Sequence, residues 1–303
     1  MSDGSKISTK IDTRYFVEYW LSVGSVNCTW RVTRAEAETI QPGQKIIAEP
    51  GENLIESFRN GLRKPWGLAA NRTDWCFKEL SVAPDHYHPR IARALGGFDL
   101  WAYPAETDRE FIARGRDHLS AIVEQLSGIF RVVEPGGSNA EAFGPSIMNL
   151  LIVACTEVEA QWKSVLQANG YAGNNTKDYF KTCEALRLKE YSVLLAPYPW
   201  LAPIQPFANW ASDRPTGSLA WYDAYNSVKH DRYTNYSKAT LSHCISAVSA
   251  IAILLVAQFG ATALTGEHRR MFEFQSVPAA RLDYTYLSIK GEWKPSNFDF
   301  DRS

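Results

Sequence analysis

The residues best able to do chemistry in this chain are densest between Trp221 and Arg232, which reads Trp-Tyr-Asp-Ala-Tyr-Asn-Ser-Val-Lys-His-Asp-Arg. At helical spacing Trp221, Tyr225 and Val228 share one face, while Tyr222, Asn226 and His230, four residues apart, share another. The first face suits a core and the second a polar site. The unperturbed pKa of a histidine side chain lies near neutrality, which makes His230 a candidate general acid or base, for instance in attack of a ribose 2′-hydroxyl on the adjacent phosphate. Asn226, one turn earlier, is placed to orient the ring or the phosphate. Lys229 and Arg232 would stabilise charge on a phosphorane-like transition state, and Tyr222 would stack on a base or hydrogen-bond a phosphate. The same residues also fit a structural role, in which His230 and Asn226 tie the helix end to a neighbouring insertion and Arg232 pairs with Glu159.

Other groups carry weaker signals. Glu157 and Glu159 would need a Glu-x-x-His at helical spacing to make a di-iron pair, and none fits. His86 and His88 alternate as on a strand but lack a third ligand, and His118 lies near an apolar stripe, as a core histidine would. No metal and no cofactor is expected, and no P-loop, G-x-G-x-x-G, G-x-S-x-G or H-E-x-x-H occurs. The five cysteines (Cys28, Cys76, Cys155, Cys183, Cys244) are scattered without C-x-x-C spacing, as free thiols in a reducing compartment would be. A formal net charge of -1 provides no global field for nucleic acid or an anionic membrane, so any phosphate site must be local. The first ten residues lack a signal-peptide core. The most apolar run, Ile245 to Ala257, is shorter than the roughly 20 residues of a membrane span. A cytoplasmic protein with no membrane partner is expected.

The elements that must position these groups sharpen along the chain. Residues 1–12 read as a disordered tail. Residues 13–103 read as a small mixed α/β region, with strands at Tyr15 to Trp20 and Val26 to Val32, a helix at Asn53 to Leu62, and turns at Pro42-Gly43, Pro50-Gly51 and Gly96-Gly97. Thr107 to Glu110 has the form of a capping box opening a long helix whose stripe includes Leu119, Ile122, Leu126 and Ile129. Pro145 starts a second, ending at Asn169-Gly170, with Glu159 at the edge of its apolar face and in need of a partner. A shorter helix (Asn174 to Leu188), a strand (Glu190 to Leu195) and a hairpin or lid from Ala196 to Pro215, with five prolines, follow. The third long helix spans Gly217 to Asp231, and the fourth, apolar nearly all round, ends at Gly260. The fold class expected is mainly α: a four-helix bundle over 104–260 with a Pro/aromatic-rich β-hairpin-like insertion. An irregular segment over 261–303 would pack back on it.

The motif Trp-x-x-x-Tyr-Asn-x-x-Lys-His-x-Arg, from Trp221 to Arg232, is followed by a long apolar helix. It is preceded by a helix carrying Thr156-Glu157-Val158-Glu159 and by the Tyr/Pro-rich insertion. Together, over roughly Thr107 to Gly260, these features resemble bacterial members of the HEPN superfamily. The resemblance implies a small helical bundle, often homodimeric, in a family where many members cut RNA without metal in defence or toxin systems. The usual family signature separates an Arg from a following His by four to six intervening residues. Here those positions are Tyr225, Ala224 and Asp223, and Arg232 follows His230 instead. The expected roles are His230, Asn226 and Arg232 in catalysis, Lys229 and Tyr222 in binding RNA or nucleotide, and Glu159 in an ion pair. The alternative is a non-catalytic helical module for dimerisation or partner binding.

Overall fold

The computed structural model describes residues 12–21, 25–40, 43–63, 74–95, 101–104, 106–281 and 284–301. The expected tail, apart from Asp12, and the Gly96-Gly97 turn lie outside them, as does Pro42. The chain forms two compact units: Met1–His86 with Ala94–Asp99 and Ala280–Glu292, and Tyr87–Arg93 with Leu100–Ala279 and Trp293–Ser303.

In the first unit, β1 (Arg14–Trp20), β2 (Ser25–Val32), β3 (Glu36–Thr39), β4 (Lys45–Ile47) and β5 (Trp75–Glu79) make an antiparallel sheet of order β4-β3-β2-β1-β5. Phe16 pairs in register with Trp30. Against these two side chains α1 (Leu54–Arg59) lays Phe58, whose ring also lies 4.5 Å from that of Phe77. Asn53 caps α1 by accepting from the Ile55 amide. The buried carboxylate of Glu18 is satisfied by Asn27 Nδ2 at 2.9 Å, Cys28 Sγ at 3.2 Å and Trp30 Nε1 at 3.3 Å. Burial, and then the Glu18 charge, push the Cys28 thiol up to about 12, so it is no nucleophile at neutral pH.

In the second unit the long helices are α2 (Arg109–Phe130), α3 (Pro145–Ala168), α5 (Ala220–His230) and α6 (Leu241–Phe259), joined by the shorter α4 (Thr176–Ala185) and α7 (Gly266–Met271). Helix α6 packs against α2, α3 and α5. It is long and apolar enough to cross a membrane, but 83% of that window is buried, which is the placement of a core helix. Trp162 of α3 stacks on Trp210 of the proline-rich segment at 4.7 Å, and the indoles of Trp210 and Trp221 donate to Pro215 O and Pro206 O. The segment is thus fastened by buried aromatic rings, with the Trp210 and Trp221 indoles each finding a backbone acceptor.

Three expectations are corrected. Among the described residues the chain is mixed, with seven α-helices and a five-stranded antiparallel sheet, and is not a mainly α four-helix bundle. β3 is four residues with one apolar side chain and β4 is only three residues long, so no period of two can be read from their sequence. The insertion is not a hairpin of its own: β6 (Ser192–Leu195) pairs with β7 (Phe272–Ser276), a strand from the segment expected to be irregular, and meets the insertion only at a bridge between Val193 and Ile204. At the start of α2, Asp108 rather than Thr107 stands at the cap, and its carboxylate accepts from the Tyr103 hydroxyl instead of a helix amide.

Candidate functional site

Helix α5 brings the predicted residues to one end of the second unit. Trp221, Tyr225 and Val228 are buried, as a core face requires. The intended polar face divides in two. Tyr222 is 2% exposed and its hydroxyl donates to Glu159 Oε1 on α3 at 2.6 Å, so it cannot stack on a base; its assignment to substrate binding is corrected. Burial first, and the Glu159 carboxylate second, push the Tyr222 phenol well above its ordinary range, so it stays a donor. Asn226 spends its amide on the carbonyl of Tyr222, at 3.1 Å, one turn back in its own helix. It therefore does not orient the His230 ring.

Glu159 finds the partner its position demands, though a different one from that expected. Arg232 lies past the end of α5, whereas Lys229 is one turn from Tyr225 and places Nζ 3.9 Å from Glu159 Oε2. The same ammonium donates to Tyr225 Oη at 2.9 Å. That bond, with the Glu159 charge, raises its pKa and keeps it cationic. The pairing of Arg232 with Glu159 is thus replaced by a network of Tyr222, Glu159, Lys229 and Tyr225 that joins α5 to α3. Both phenols are buried, so the network serves packing more than chemistry.

His230 and Arg232 lie outside this network and are solvent-exposed, and the His230 ring makes no hydrogen bond among the described residues. Past them the chain turns: Asp231 Oδ1 accepts from the Thr234 amide at 3.1 Å, and Asn235 Nδ2 donates to the carbonyls of Ser227 and Asp231 at the helix end. This turn presents Tyr233 at 96% exposure, beside Arg232 and His230. The sequence reading missed Tyr233. The signal available was an aromatic inside a run of polar residues, with no apolar neighbour for it to join, next to the cation of Arg232. Lys229, half exposed at 49%, adds a further cation on the last turn of α5, where the helix dipole favours positive charge.

The weaker candidates resolve structurally. His88 is buried against Ser296 O at 2.7 Å, and its pKa is pushed down to about 4, mainly by burial. His118 is not a core residue: it is exposed and pairs with Glu157 at 3.0 Å. Among the described residues no cluster of three or more potential metal ligands occurs. Comparison of the chain with protein-family models, with curated proteins and with solved structures finds no match.

Proposed function

We propose that the protein acts on RNA or nucleotides in the cytoplasm, at the surface where α5 ends. The observation that carries this reading is Tyr233, 96% exposed and flanked by the exposed His230 and Arg232. An exposed ring offers a base a stacking platform whatever its sequence, and adjacent cations hold the backbone phosphates. On a chain of net charge -1 such a patch is local. The resemblance of Trp221 to Arg232 to HEPN proteins points the same way, and with it a homodimer that brings two such surfaces together. The ordered insertion and the Tyr222–Glu159–Lys229 network act as the scaffold that holds the surface in place.

A second reading, metal-independent cleavage in a defence or toxin setting, is favoured by the free His230 ring. His230 would take the proton of a ribose 2′-hydroxyl as that oxygen bonds to phosphorus. The bond from phosphorus to the 5′ oxygen would break and that oxygen would take a proton from water, leaving a cyclic phosphate and a free 5′-hydroxyl, while His230 returns its proton to solvent and Arg232 lies against the developing charge. The test is to incubate purified protein with mixed RNA and to measure both retention and cleavage for wild type, Tyr233→Ala and His230→Ala, with and without chelator. RNA retention that falls in Tyr233→Ala supports the binding reading. Cleavage that survives chelator and disappears in His230→Ala adds the catalytic one. Absence of both effects leaves a helical module for dimerisation or partner binding.

A further inference from the structure

The turn that presents Tyr233 leads on to a second aromatic surface. Asn235, whose side chain ties the turn to the end of α5, is followed by the half-buried Tyr236. The Tyr236 ring meets that of Phe143 edge to face, with centroids 5.8 Å apart and planes at 90°. Phe143 is 51% exposed, yet its backbone is fixed: it bridges Thr240, and the Ala142 carbonyl before it accepts from the Leu241 amide at 2.8 Å. An edge-to-face contact occupies at most one face of the Phe143 ring. A large ring on a pinned backbone, left half in water, is a platform that can be covered at little entropic cost.

Phe143 lines a groove of about 550 Å³ between the end of α2 and the start of α3. Ile129, Val133 and Ile147 make its apolar wall, and Val132 lines it too, 83% exposed. Gly128 of α2 leaves part of this space empty, since a Cβ added there would meet nothing within 4 Å. Among the described residues no charged side chain lines the groove. Its polar side chains are Gln125, Ser146 and Asn149, all exposed and none hydrogen-bonded to a described residue. An uncharged slot with an aromatic ring on one side and two unengaged amides suits a flat, neutral molecule with donors and acceptors along its edge. A phosphate would find no cation there. The apolar face of a partner helix would cover the amides without pairing them. A nucleobase answers both conditions, with a π-face for Phe143 and a polar edge for Gln125 and Asn149.

We propose that this groove holds an unstacked base of single-stranded RNA, with Phe143 as a second stacking platform beyond Tyr233 and with Gln125 and Asn149 at the base edge. The assignment rests on the reading that RNA meets the end of α5, and it specifies the substrate as a single strand whose bases are splayed onto two separate rings. The test is fluorescence anisotropy on the full chain with a single-stranded RNA of mixed sequence and about ten nucleotides. Phe143→Ala and Gly128→Leu are each expected to weaken binding by about 5- to 150-fold, the range for one stacked base. Gly128→Leu extends a side chain into open space and improves helix propensity, so it probes the groove even if Phe143→Ala fails to fold. Because the groove carries no charge, both variants should keep the wild-type slope of affinity against salt. The same strand annealed to its complement is expected to bind more weakly by about tenfold or more, since paired bases offer neither ring a face. Full affinity in both groove variants, with loss in Tyr233→Ala, overturns the groove and leaves the first reading standing. Duplex binding as tight as single-strand binding also overturns it. Loss in the groove variants with full affinity in Tyr233→Ala supports the groove and removes Tyr233 from the site. Absence of any RNA binding by wild type overturns the groove together with the reading on which it rests.

Discussion

Glu159 shows how one misplaced partner changes the meaning of a motif. Its position at the edge of an apolar helix face demanded a partner, and spacing alone made Arg232 as eligible as Lys229. The end of α5 at His230 decides between them, because beyond it the chain leaves the helical path. Tyr222 supplies the stronger contact, at 2.6 Å. Tyr222→Phe removes the donor to a mostly buried carboxylate and is expected to lower the unfolding free energy by about 1–3 kcal/mol, read by urea denaturation. His88 makes a second prediction. Its folded pKa of about 4 lies below the ordinary histidine value, so the unfolded chain binds the extra proton. The stability it contributes is complete above about pH 6.5 and is lost as pH falls from there toward 4, by about 3 kcal/mol at most. Unfolding measured at pH 7 and pH 4.5 should show this loss in wild type and a flatter profile in His88→Gln.

At the scale of elements, what could be read from sequence was what obeys a helical period. The four long helices leave stripes of three- and four-residue steps, and α6 is apolar on nearly every side because it is enclosed by α2, α3 and α5. The strands were harder to read. β3 is Glu-Ala-Glu-Thr and β4 Lys-Ile-Ile, held in the sheet by their neighbours rather than by their own composition, and β7 is recognisable only once its partner β6 is known. The polar face of α5 is divided by its neighbours, since a helical period places Tyr222 beside His230 but does not say that α3 will cover the first and leave the second exposed. Within α6, Ser249 is fully buried and its hydroxyl has no hydrogen-bond partner among the described residues. Ser249→Ala removes that unmet group and improves helix propensity, so it is expected to stabilise the protein by about 1 kcal/mol, seen as a higher midpoint in thermal unfolding.

For the whole molecule, a net charge of -1 forbids long-range attraction to nucleic acid, so RNA binding must come from a few contacts at one place. Lys229 and Arg232 are the cations beside Tyr233, which sets the expected salt dependence: with about two phosphates engaged, the logarithm of affinity should fall with the logarithm of salt at a slope near -1.4. A slope several times steeper would place the binding surface elsewhere on the molecule. The central claim is tested most directly by the affinity of wild type and Tyr233→Ala for a single-stranded RNA at fixed salt. The claim predicts that loss of the ring weakens binding by about 5- to 150-fold, the range for one stacked base, with folding unchanged because the side chain is solvated. Equal affinity of the two proteins would contradict it.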